Sequence, residues 1–260
     1  MPSGALSFDT ALVTGAASGI GAAFARNLAA RHTRLLLVDK DSVRLADTAE
    51  SLRAEHSVQV ETLDADLSQR AGQDAVVDSI TQRRELDLLI NNAGFAVPGF
   101  FHEVPEDRHV EMMQVHAVAP VRFCLAALPA MVERGRGAII NVCTIAQYLD
   151  RAGQYGATKF FLDTFSRNLR SEVACRGIRI QSLTPGYTDS NIDTTGTFSG
   201  PRRNAVPGLL WSSPEMVADA SLRHLNSGKL RCTPGTLNQV VEFALRHGLY
   251  SRWLVRRWFV

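Results

Sequence analysis

Residues Thr14–Gly21 read Thr-Gly-Ala-Ala-Ser-Gly-Ile-Gly, and this glycine-rich stretch decides the fold that we predict. It follows a short apolar run, Ala11–Val13, and precedes a segment of helical composition, Ala22–Ala30. Glycines let a backbone turn sharply and approach a pyrophosphate, and the N-terminus of the following helix presents N–H groups to the anion. A plain connecting turn is the alternative interpretation of such a spacing, Gly-x-x-x-Gly-x-Gly. The stretch predicts a phosphate-binding turn made by Gly15, Ser18, Gly19, Ile20 and Gly21.

The next informative residue is an acid at the end of the second predicted strand. Leu35–Val38 is continuously apolar, as in a buried parallel strand, and Asp39 follows it directly. A carboxylate about 20 residues after such glycines can accept hydrogen bonds from an adenine ribose, and it would repel a 2′-phosphate. Asp39 therefore favours NAD(H). The adjacent Lys40 keeps NADP(H) open, and a solvated strand end is the alternative interpretation of Asp39.

A phenol and an ammonium group lie four residues apart in Tyr155–Lys159, so they share one face if this segment is helical. The ordinary pKa of tyrosine, near 10, is too high for a base at neutral pH, and a neighbouring cation lowers it. Tyr155 could then exchange a proton with an alcohol or ketone while hydride moves to or from a nicotinamide. Taken alone, Tyr-x-x-x-Lys is also common as an ordinary helix face.

The order of these and further motifs resembles the short-chain dehydrogenase/reductase family over most of the chain. Asn91–Gly94 matches the Asn-Asn-Ala-Gly that ends the fourth strand in the family, and Ile139–Val142 matches its fifth strand. The resemblance implies that Tyr155 is the acid/base and that Lys159 lowers its pKa and holds the nicotinamide ribose. The other cofactor contacts that it implies are Asp66 and Leu67 at the adenine, Asn92, Ala93 and Gly94 behind the cofactor, the turn Pro185–Gly186, and Thr188 and Ser190 at the carboxamide and phosphates.

Two residues depart from the family's pattern. Thr144 stands where the family has a serine that contacts the substrate oxygen; threonine keeps the hydroxyl and adds a methyl group. His116 stands where the family has an asparagine whose backbone carbonyl helps to hold a water of the proton relay. Its imidazole could join that relay or could simply pack there, and both interpretations stay open. The segment between Thr144 and Tyr155 is also shorter than usual.

Composition and patterning predict one α/β domain over residues 1–260, a Rossmann-type doubly wound parallel sheet with a C-terminal helical extension. The chain has 260 residues, 45% of them hydrophobic, and a net charge of +2 that gives no reason to expect nucleic acid. Its four cysteines lack metal-ligand spacing and suggest a reduced, cytoplasmic protein, with no signal peptide or membrane span expected. We predict strands near 10–14, 34–39, 57–63, 86–91, 137–143 and 178–184, and helices at 20–31, 106–133 and 152–176.

Residues 191–214 are rich in glycine, proline and apolar side chains, which predicts an irregular segment, and the resemblance implies that it is the family's substrate lid. Its composition favours a hydrophobic substrate. The candidate substrate contacts are Tyr148, Tyr187 and Trp211.

The C-terminal residues 235–260 combine aromatic, aliphatic and arginine side chains. Three interpretations stay open: this tail packs on a second subunit of a homodimer or homotetramer, covers its own substrate pocket, or lies on an anionic membrane surface as a basic, amphipathic segment.

The sequence thus predicts an oxidoreductase that interconverts a secondary alcohol and a ketone with NAD(H), using Tyr155, Lys159, Thr144 and His116, and no metal. A cofactor-binding protein of the same fold without turnover is the competing prediction. The intact Tyr155 and Lys159 and the hydroxyl of Thr144 argue against it.

Overall fold

A computed structural model describes residues 6–97, 99–149, 152–189 and 208–248. Seven parallel strands form its main sheet, in the order β3-β2-β1-β4-β5-β6-β9. A separate two-stranded pair joins β7 to β8. The strands are β1 Thr10–Thr14, β2 Arg34–Asp39, β3 Val60–Asp64, β4 Leu88–Asn91, β5 Gly137–Val142, β6 Ile178–Leu183, β7 Tyr187–Thr188, β8 Trp211–Ser212 and β9 Arg231–Cys232.

Side chains along each strand point alternately to the two faces of the sheet. Both faces are apolar here, so helices cover both of them. Ala11 and Val13 of β1 join one hydrophobic cluster with side chains of α1, α2 and α7, whereas Leu12 joins a second cluster with α3, α5 and α6. The helices are α1 Gly19–Ala29, α2 Ser42–His56, α3 Arg70–Gln82, α4 Glu106–Met113, α5 Ala119–Arg134, α6 Gly153–Val173, α7 Pro214–Leu225 and α8 Thr236–Arg246.

The strand order reverses at β1, which pairs with β2 on one side and β4 on the other. A crevice opens at such a switch point, at the carboxyl ends of the strands, and ligands of doubly wound sheets bind there. The turns after β1, β2, β4, β5 and β6 all reach this edge, and each carries a residue that we assign to the site. The Rossmann-type sheet predicted from the sequence is confirmed.

The predicted elements differ from the observed ones in detail. The helix expected at 106–133 is α4 and α5, joined by a π-helical turn at Gln114–Val118. The expected lid, 191–214, ends in ordered structure, because Trp211–Ser212 pairs with Tyr187–Thr188 and α7 begins at Pro214. Residues 191–207 of that lid and 249–260 of the tail lie outside the described residues.

One continuous helical stretch, Glu106–Arg134, has the length and the apolar composition of a helix that could cross a membrane. We had expected no segment of this kind from the sequence. Half of its apolar window is buried inside the fold. Phe123 and Met131 of this stretch lie in the cluster between α3, α5 and the sheet. Its apolar composition is therefore that of a core helix.

Candidate active site

The glycine turn after β1 needs its glycines for two reasons. Gly15 and Gly19 have positive φ angles of +66° and +54°, which residues with side chains rarely adopt. Gly21 has no room for a side chain, since a Cβ there would lie 1.9 Å from the Gly15 carbonyl oxygen. Ser18 precedes the first turn of α1 in an extended conformation, and Ile20 lies within that turn. The N-terminus of α1 thus opens directly onto the turn, as a pyrophosphate site requires.

Side chains from β1 and β4 hold this turn against the Asn-Asn-Ala-Gly segment. The Thr14 hydroxyl accepts hydrogen bonds from the backbone N–H groups of Asn92 (3.0 Å) and Ala93 (3.1 Å). The Asn92 side chain donates to the carbonyl oxygens of Thr14 (2.9 Å) and Gly15 (3.1 Å). These bonds fix the floor of the crevice. Thr14 therefore contributes to the site through structure, a role that its position in the sequence did not indicate.

The carboxylate at the end of β2 is fixed beside the glycine turn. Asp39 Oδ2 accepts from the Ala17 N–H at 3.0 Å, and Oδ1 accepts from the Asp41 N–H at 3.1 Å. Lys40 is exposed. After β3, Asp66 Oδ1 accepts from the Ser68 N–H at 2.9 Å, and the adjacent Leu67 is buried. Asp39 ends β2 and Asp66 follows β3. Since these two strands are parallel neighbours, both residues lie at the same edge of the sheet.

Lys159 is enclosed at the end of β5. Lys159 is only 4% exposed, and its Nζ donates to the Val142 carbonyl oxygen at 2.8 Å. Burial lowers the pKa of Lys159 from 10.5 to about 8. It still carries its charge at neutral pH. Tyr155 lies one turn earlier on the same helix, α6, and is half-buried.

Thr144 follows β5 two residues after the carbonyl that holds Lys159. It is buried, and its hydroxyl accepts from the Ala146 N–H at 3.2 Å as the cap of a short 3₁₀ turn, Ile145–Tyr148. Since a hydroxyl can accept and donate at once, Thr144 can still donate to a substrate oxygen. The end of β5 therefore brings Thr144 and Lys159 to one place.

His116 is fully buried in the π-helical turn, and both of its ring nitrogens form hydrogen bonds. Nε2 accepts from the Phe95 N–H at 3.0 Å, so in the neutral ring the proton is on Nδ1. Nδ1 then donates to the Thr158 hydroxyl at 2.9 Å, which itself donates to the Tyr155 carbonyl oxygen at 2.9 Å. Burial, followed by the nearby Lys159 charge, places the pKa of His116 well below its ordinary value. These bonds favour the packing interpretation over the relay.

His116 lies between helix α6 and the segment Gly94–Phe95 that follows β4. Its ring lies edge-on to the rings of Phe95 and Tyr155, with centroids 5.7 Å away in each case. A Cβ on Gly94 would lie 3.0 Å from His116 Nε2 and 3.3 Å from Lys159 Nζ, so Gly94 is the residue type that fits between them. Thr158, missed from the sequence although it lies inside the Tyr155–Lys159 motif, completes this link.

We expect His116→Asn to leave the pH–rate profile between about pH 5.5 and 7.5 unchanged, because the imidazole stays neutral there. Loss of its buried hydrogen bonds should lower the free energy of unfolding by about 1–3 kcal/mol. Thr158→Val removes one of the same bonds, so the double variant should lose less stability than the two single losses added together. Denaturant titrations and rate profiles measure both. If the wild-type rate profile showed a titration near pH 6.5 and the asparagine variant did not, the result would favour a role of His116 in the proton relay.

The turn after β6 packs against the segment that carries Thr144. The Pro185 carbonyl oxygen accepts from the Ile145 N–H at 3.1 Å, and Thr188 Oγ1 donates to the Gly186 carbonyl oxygen at 3.2 Å. A Cβ on Gly186 would lie 2.5 Å from Asn238 Oδ1, so this glycine is required by the close approach of α8. Ser190 lies outside the described residues.

The three candidate substrate contacts do not share one environment. Tyr187 and Trp211 face each other on β7 and β8, with ring centroids 5.4 Å apart. Tyr148 instead packs edge-on to Phe160, and burial, followed by the charge of nearby Asp163, raises the pKa of Tyr148 to about 12. The Tyr148 hydroxyl is enclosed in protein, so our expectation that it faces substrate is not supported.

A buried amide network also supports the site and was missed from the sequence. Asn91 and Asn141 are paired across β4 and β5, and Asn91 Nδ2 donates to Asn141 Oδ1 at 2.8 Å. Asn141 Nδ2 in turn donates to the Ser166 hydroxyl on α6 at 2.8 Å. The available signal was a pair of asparagines near the ends of neighbouring strands, Asn91 being the last residue of β4 and Asn141 the last but one of β5. Among the described residues, no cluster of histidine, cysteine or acidic side chains could hold a metal ion.

Comparisons with solved structures agree with this geometry. A short-chain dehydrogenase from Sphingobium yanoikuyae, solved with NADPH, superposes with a TM-score of 0.82 at 32% identity, covering 93% of this chain and 95% of that one. The bulky-bulky ketone specific alcohol dehydrogenase from Comamonas testosteroni has a TM-score of 0.79 at 28% identity, covering 94% of each chain.

Curated relatives share a similar level of identity. Hydroxysteroid dehydrogenase-like protein 1 of Gallus gallus is 32% identical over 254 residues, 96% of this chain and 74% of that protein. A relative named inactive hydroxysteroid dehydrogenase-like protein 1, from Rattus norvegicus, is 32% identical over 192 residues, 72% of this chain and 58% of that protein. The family model described as short chain dehydrogenase matches residues 9–197. With its glycine turn, Asn-Asn-Ala-Gly segment and Tyr155–Lys159 pair joined at one crevice, the chain belongs to the short-chain dehydrogenase/reductase family.

Proposed function

We propose that this protein interconverts a secondary alcohol and a ketone with a nicotinamide dinucleotide. The observation that carries the proposal is that the Val142 carbonyl holds Lys159 at the end of β5, two residues before Thr144, while Tyr155 lies one turn earlier on α6 and Gly94 lies next to the Lys159 ammonium group. Two features support a dinucleotide: the glycine turn, where Gly21 leaves no room for a side chain, and the Asp39 carboxylate, which the Ala17 N–H holds beside that turn. A nicotinamide, when bound, supplies or accepts the hydride.

The protein's own residues move the proton and hold the reacting oxygen. Tyr155 gives its phenolic proton to a ketone oxygen or takes one from an alcohol. The charge of Lys159 favours the phenolate form of Tyr155, and the Val142 carbonyl fixes that ammonium group in place. Thr144 donates its hydroxyl hydrogen to the substrate oxygen. His116 holds the catalytic helix against the cofactor wall and exchanges no proton.

The test of this function is a screen of secondary alcohols and ketones with each cofactor, followed by nicotinamide absorbance. We expect turnover on apolar substrates. The exposed Leu209 and the facing pair Tyr187 and Trp211 support an apolar substrate, and so does the ketone specificity named for the Comamonas testosteroni relative.

We propose NAD(H) as the preferred cofactor, because the fixed Asp39 carboxylate would meet a 2′-phosphate. The competing choice, NADP(H), is supported by the NADPH bound to the Sphingobium yanoikuyae relative and by the exposed Lys40. NAD(H) is preferred if the negative charge of Asp39 dominates at the adenine ribose, and NADP(H) is preferred if the positive charge of Lys40 dominates there.

We expect NAD(H) to bind at least about ten times more tightly than NADP(H), which corresponds to about 1.4 kcal/mol. Asp39→Asn should reduce that ratio, because it removes the negative charge and keeps the shape. Asp78→Asn, at an exposed position in the second half of α3, is the matched control and should leave the ratio unchanged. Fluorescence titrations at equal ionic strength measure both affinities. Equal binding in the wild-type protein would show that Lys40 dominates.

A cofactor-binding protein without turnover is the second candidate function, favoured by the relatives whose names call them inactive. Such a protein would bind dinucleotide normally and show no turnover with any compound in the screen. The buried ammonium of Lys159 argues against it, since a costly buried charge has no evident use in a site that moves no proton.

We further propose that the protein works in a reducing compartment such as the cytoplasm, as a homodimer or homotetramer. All four cysteines are free thiols, which supports the compartment. The outer faces of α4, α5 and α6 expose large apolar side chains, as a subunit interface would. Those side chains are Val110, Met113, Leu125, Phe160 and Phe161.

A further inference from the structure

Lys159 and Asp163 lie one helical turn apart on the inner face of α6, and both are buried. Residues four apart on a helix are close enough to form an ion pair. The ammonium group of Lys159 instead donates to the Val142 carbonyl oxygen at 2.8 Å, and within the described part of the chain it pairs with no carboxylate. The Asp163 carboxylate therefore needs other partners.

Both oxygens of the Asp163 carboxylate are occupied by donors from the sheet. Oδ1 accepts from the Ser182 hydroxyl of β6 at 2.6 Å, and Oδ2 accepts from Arg231 Nη2 of β9 at 2.5 Å. Ser182 and Arg231 are opposite each other in the register of these two strands, so the fold presents both donors together. The Asp163 side chain is only 5% exposed, and water therefore screens these contacts little.

Arg231 also faces a second carboxylate. Its Nε lies 3.7 Å from a Glu242 oxygen of α8, and Glu242 is buried as well. Among the described residues, Arg231 is the only cation that pairs with either carboxylate. Removal of Arg231 would leave two buried carboxylates unpaired, one of them a single helical turn from Lys159, and such an arrangement is costly.

We propose that Arg231 is a positioning residue for the proposed reaction. By holding the Asp163 carboxylate, it leaves the ammonium group of Lys159 at the end of β5, where that group can act on Tyr155. The inference rests on the proposed function only for this last step. The choice of partner by Lys159 does not depend on it.

The other titratable groups around Lys159 offer no competing negative charge. The Cys143 thiol at the end of β5 stays neutral, since burial raises its pKa to about 12. His116 faces Lys159 from the π-helical turn and is neutral as well, and Gly94 between them carries no side chain. Asp163 is thus the acidic side chain that can capture Lys159 once Arg231 is removed.

The test compares the removal of each partner of the ion pair. In Arg231→Met, Asp163 should attract Lys159, and kcat should fall at least about tenfold, because small displacements of groups at a reacting centre cost that much. In Asp163→Asn, no carboxylate competes for Lys159, so kcat should stay close to that of the wild-type protein. The double variant, Asp163→Asn with Arg231→Met, should recover that activity. An ion pair with a structural role alone predicts similar losses in both single variants, since each leaves a buried charge unpaired.

The pH dependence of stability follows Lys159 without any activity measurement. Burial lowers the pKa of Lys159 from 10.5 to about 8, so between these values the unfolded chain binds a proton that the folded protein has released, and stability rises with pH. A carboxylate partner favours the charged form of Lys159 in the folded protein, so Arg231→Met should lack this rise. The double variant should show it again. Urea titrations at about pH 8 and pH 10 measure the difference from the wild-type protein, which has the same thiols and tyrosines.

Arg136→Met is the matched control. Arg136 lies 3.1 Å from Asp87, a carboxylate whose side chain is also 5% exposed, just before β4 and therefore at the edge of the sheet opposite the crevice. This variant should change neither kcat nor the pH dependence. If circular dichroism shows that Arg231→Met does not fold, the same comparison is made in a Glu242→Gln background, which leaves one unpaired carboxylate instead of two.

Equal losses of kcat in Arg231→Met and Asp163→Asn, or a rise of stability with pH that persists in Arg231→Met, would overturn the proposal. A double variant as slow as Arg231→Met would do so too. If the wild-type protein turns over no compound in the screen, the proposed function fails, whereas the urea titrations still decide whether Arg231 keeps Lys159 away from Asp163.

Discussion

Tyr155→Phe should lower turnover by at least about 100-fold, the usual effect of removing a general acid/base. The phenylalanine ring keeps the edge-on contact with the His116 ring, whose centroid lies 5.7 Å away. Helix α6 and the hydrogen bond from Thr158 to the backbone of residue 155 should also persist. Cofactor affinity should therefore stay close to that of the wild-type protein. Turnover on a substrate from the screen and a fluorescence titration of the cofactor measure the two quantities.

Tyr148→Phe is the control variant for Tyr155→Phe. Tyr148 lies in the segment between Thr144 and Tyr155, and its hydroxyl is enclosed in protein. We expect its loss to affect turnover far less than loss of the Tyr155 hydroxyl. Comparable losses in the two variants would contradict the assignment of the acid/base to Tyr155.

Lys159→Met should lower turnover by at least about 100-fold and raise the free energy of unfolding at neutral pH. Burial lowers the pKa of Lys159 from 10.5 to about 8, which corresponds to about 3 kcal/mol spent on keeping the buried group charged. Methionine fills a similar volume without that charge. The variant also loses the hydrogen bond to the Val142 carbonyl oxygen. The free energy of unfolding should therefore rise by less than that 3 kcal/mol, by about 1–2 kcal/mol.

The pH dependence gives an independent check on Lys159. Between pH 8 and 10.5 the unfolded chain still binds the lysine proton while the folded protein has released it. Stability contributed by this residue therefore rises with pH across that window, and the methionine variant should lack the rise. Lys229→Met, at an exposed lysine, is the matched control and should change neither turnover nor this slope. A methionine variant with unchanged stability would mean that the ammonium group of Lys159 costs nothing to bury.

The fold followed from the sequence because its signals are local and repeat along the chain. Apolar runs between predicted helices place six strands, and the glycines of Thr14–Gly21 have a backbone requirement that few other turns share. The two-residue edge strand Arg231–Cys232 was not predicted, since so short a strand carries no periodicity. The π-helical turn at Gln114–Val118 was missed for a related reason: a single turn of this kind inside a longer helical segment is too short to have a periodicity of its own.

Spacing along the chain was enough to nominate Tyr155, Lys159 and Asp39, because each lies at a fixed offset from a strand end or a helix turn. Thr144 was nominated by the resemblance to the family. The partners of these groups come from distant segments. Lys159 is held by the carbonyl of Val142, and only packing of α6 against β5 brings them together. The two possible roles of His116 were equally compatible with the sequence.

The sequence by itself determined the doubly wound sheet, the glycine turn after β1 and the types of side chain at the candidate site, because backbone turns and residue chemistry are properties of short segments. The tertiary structure alone decided protonation and exposure. Contacts with Phe95 and Thr158 fix a neutral His116, and burial lowers the pKa of Lys159. The ionic contacts around Arg231 turn Glu242 inward. Solvation and charge pairing depend on which atoms surround a group, and residues far apart in the chain supply those atoms.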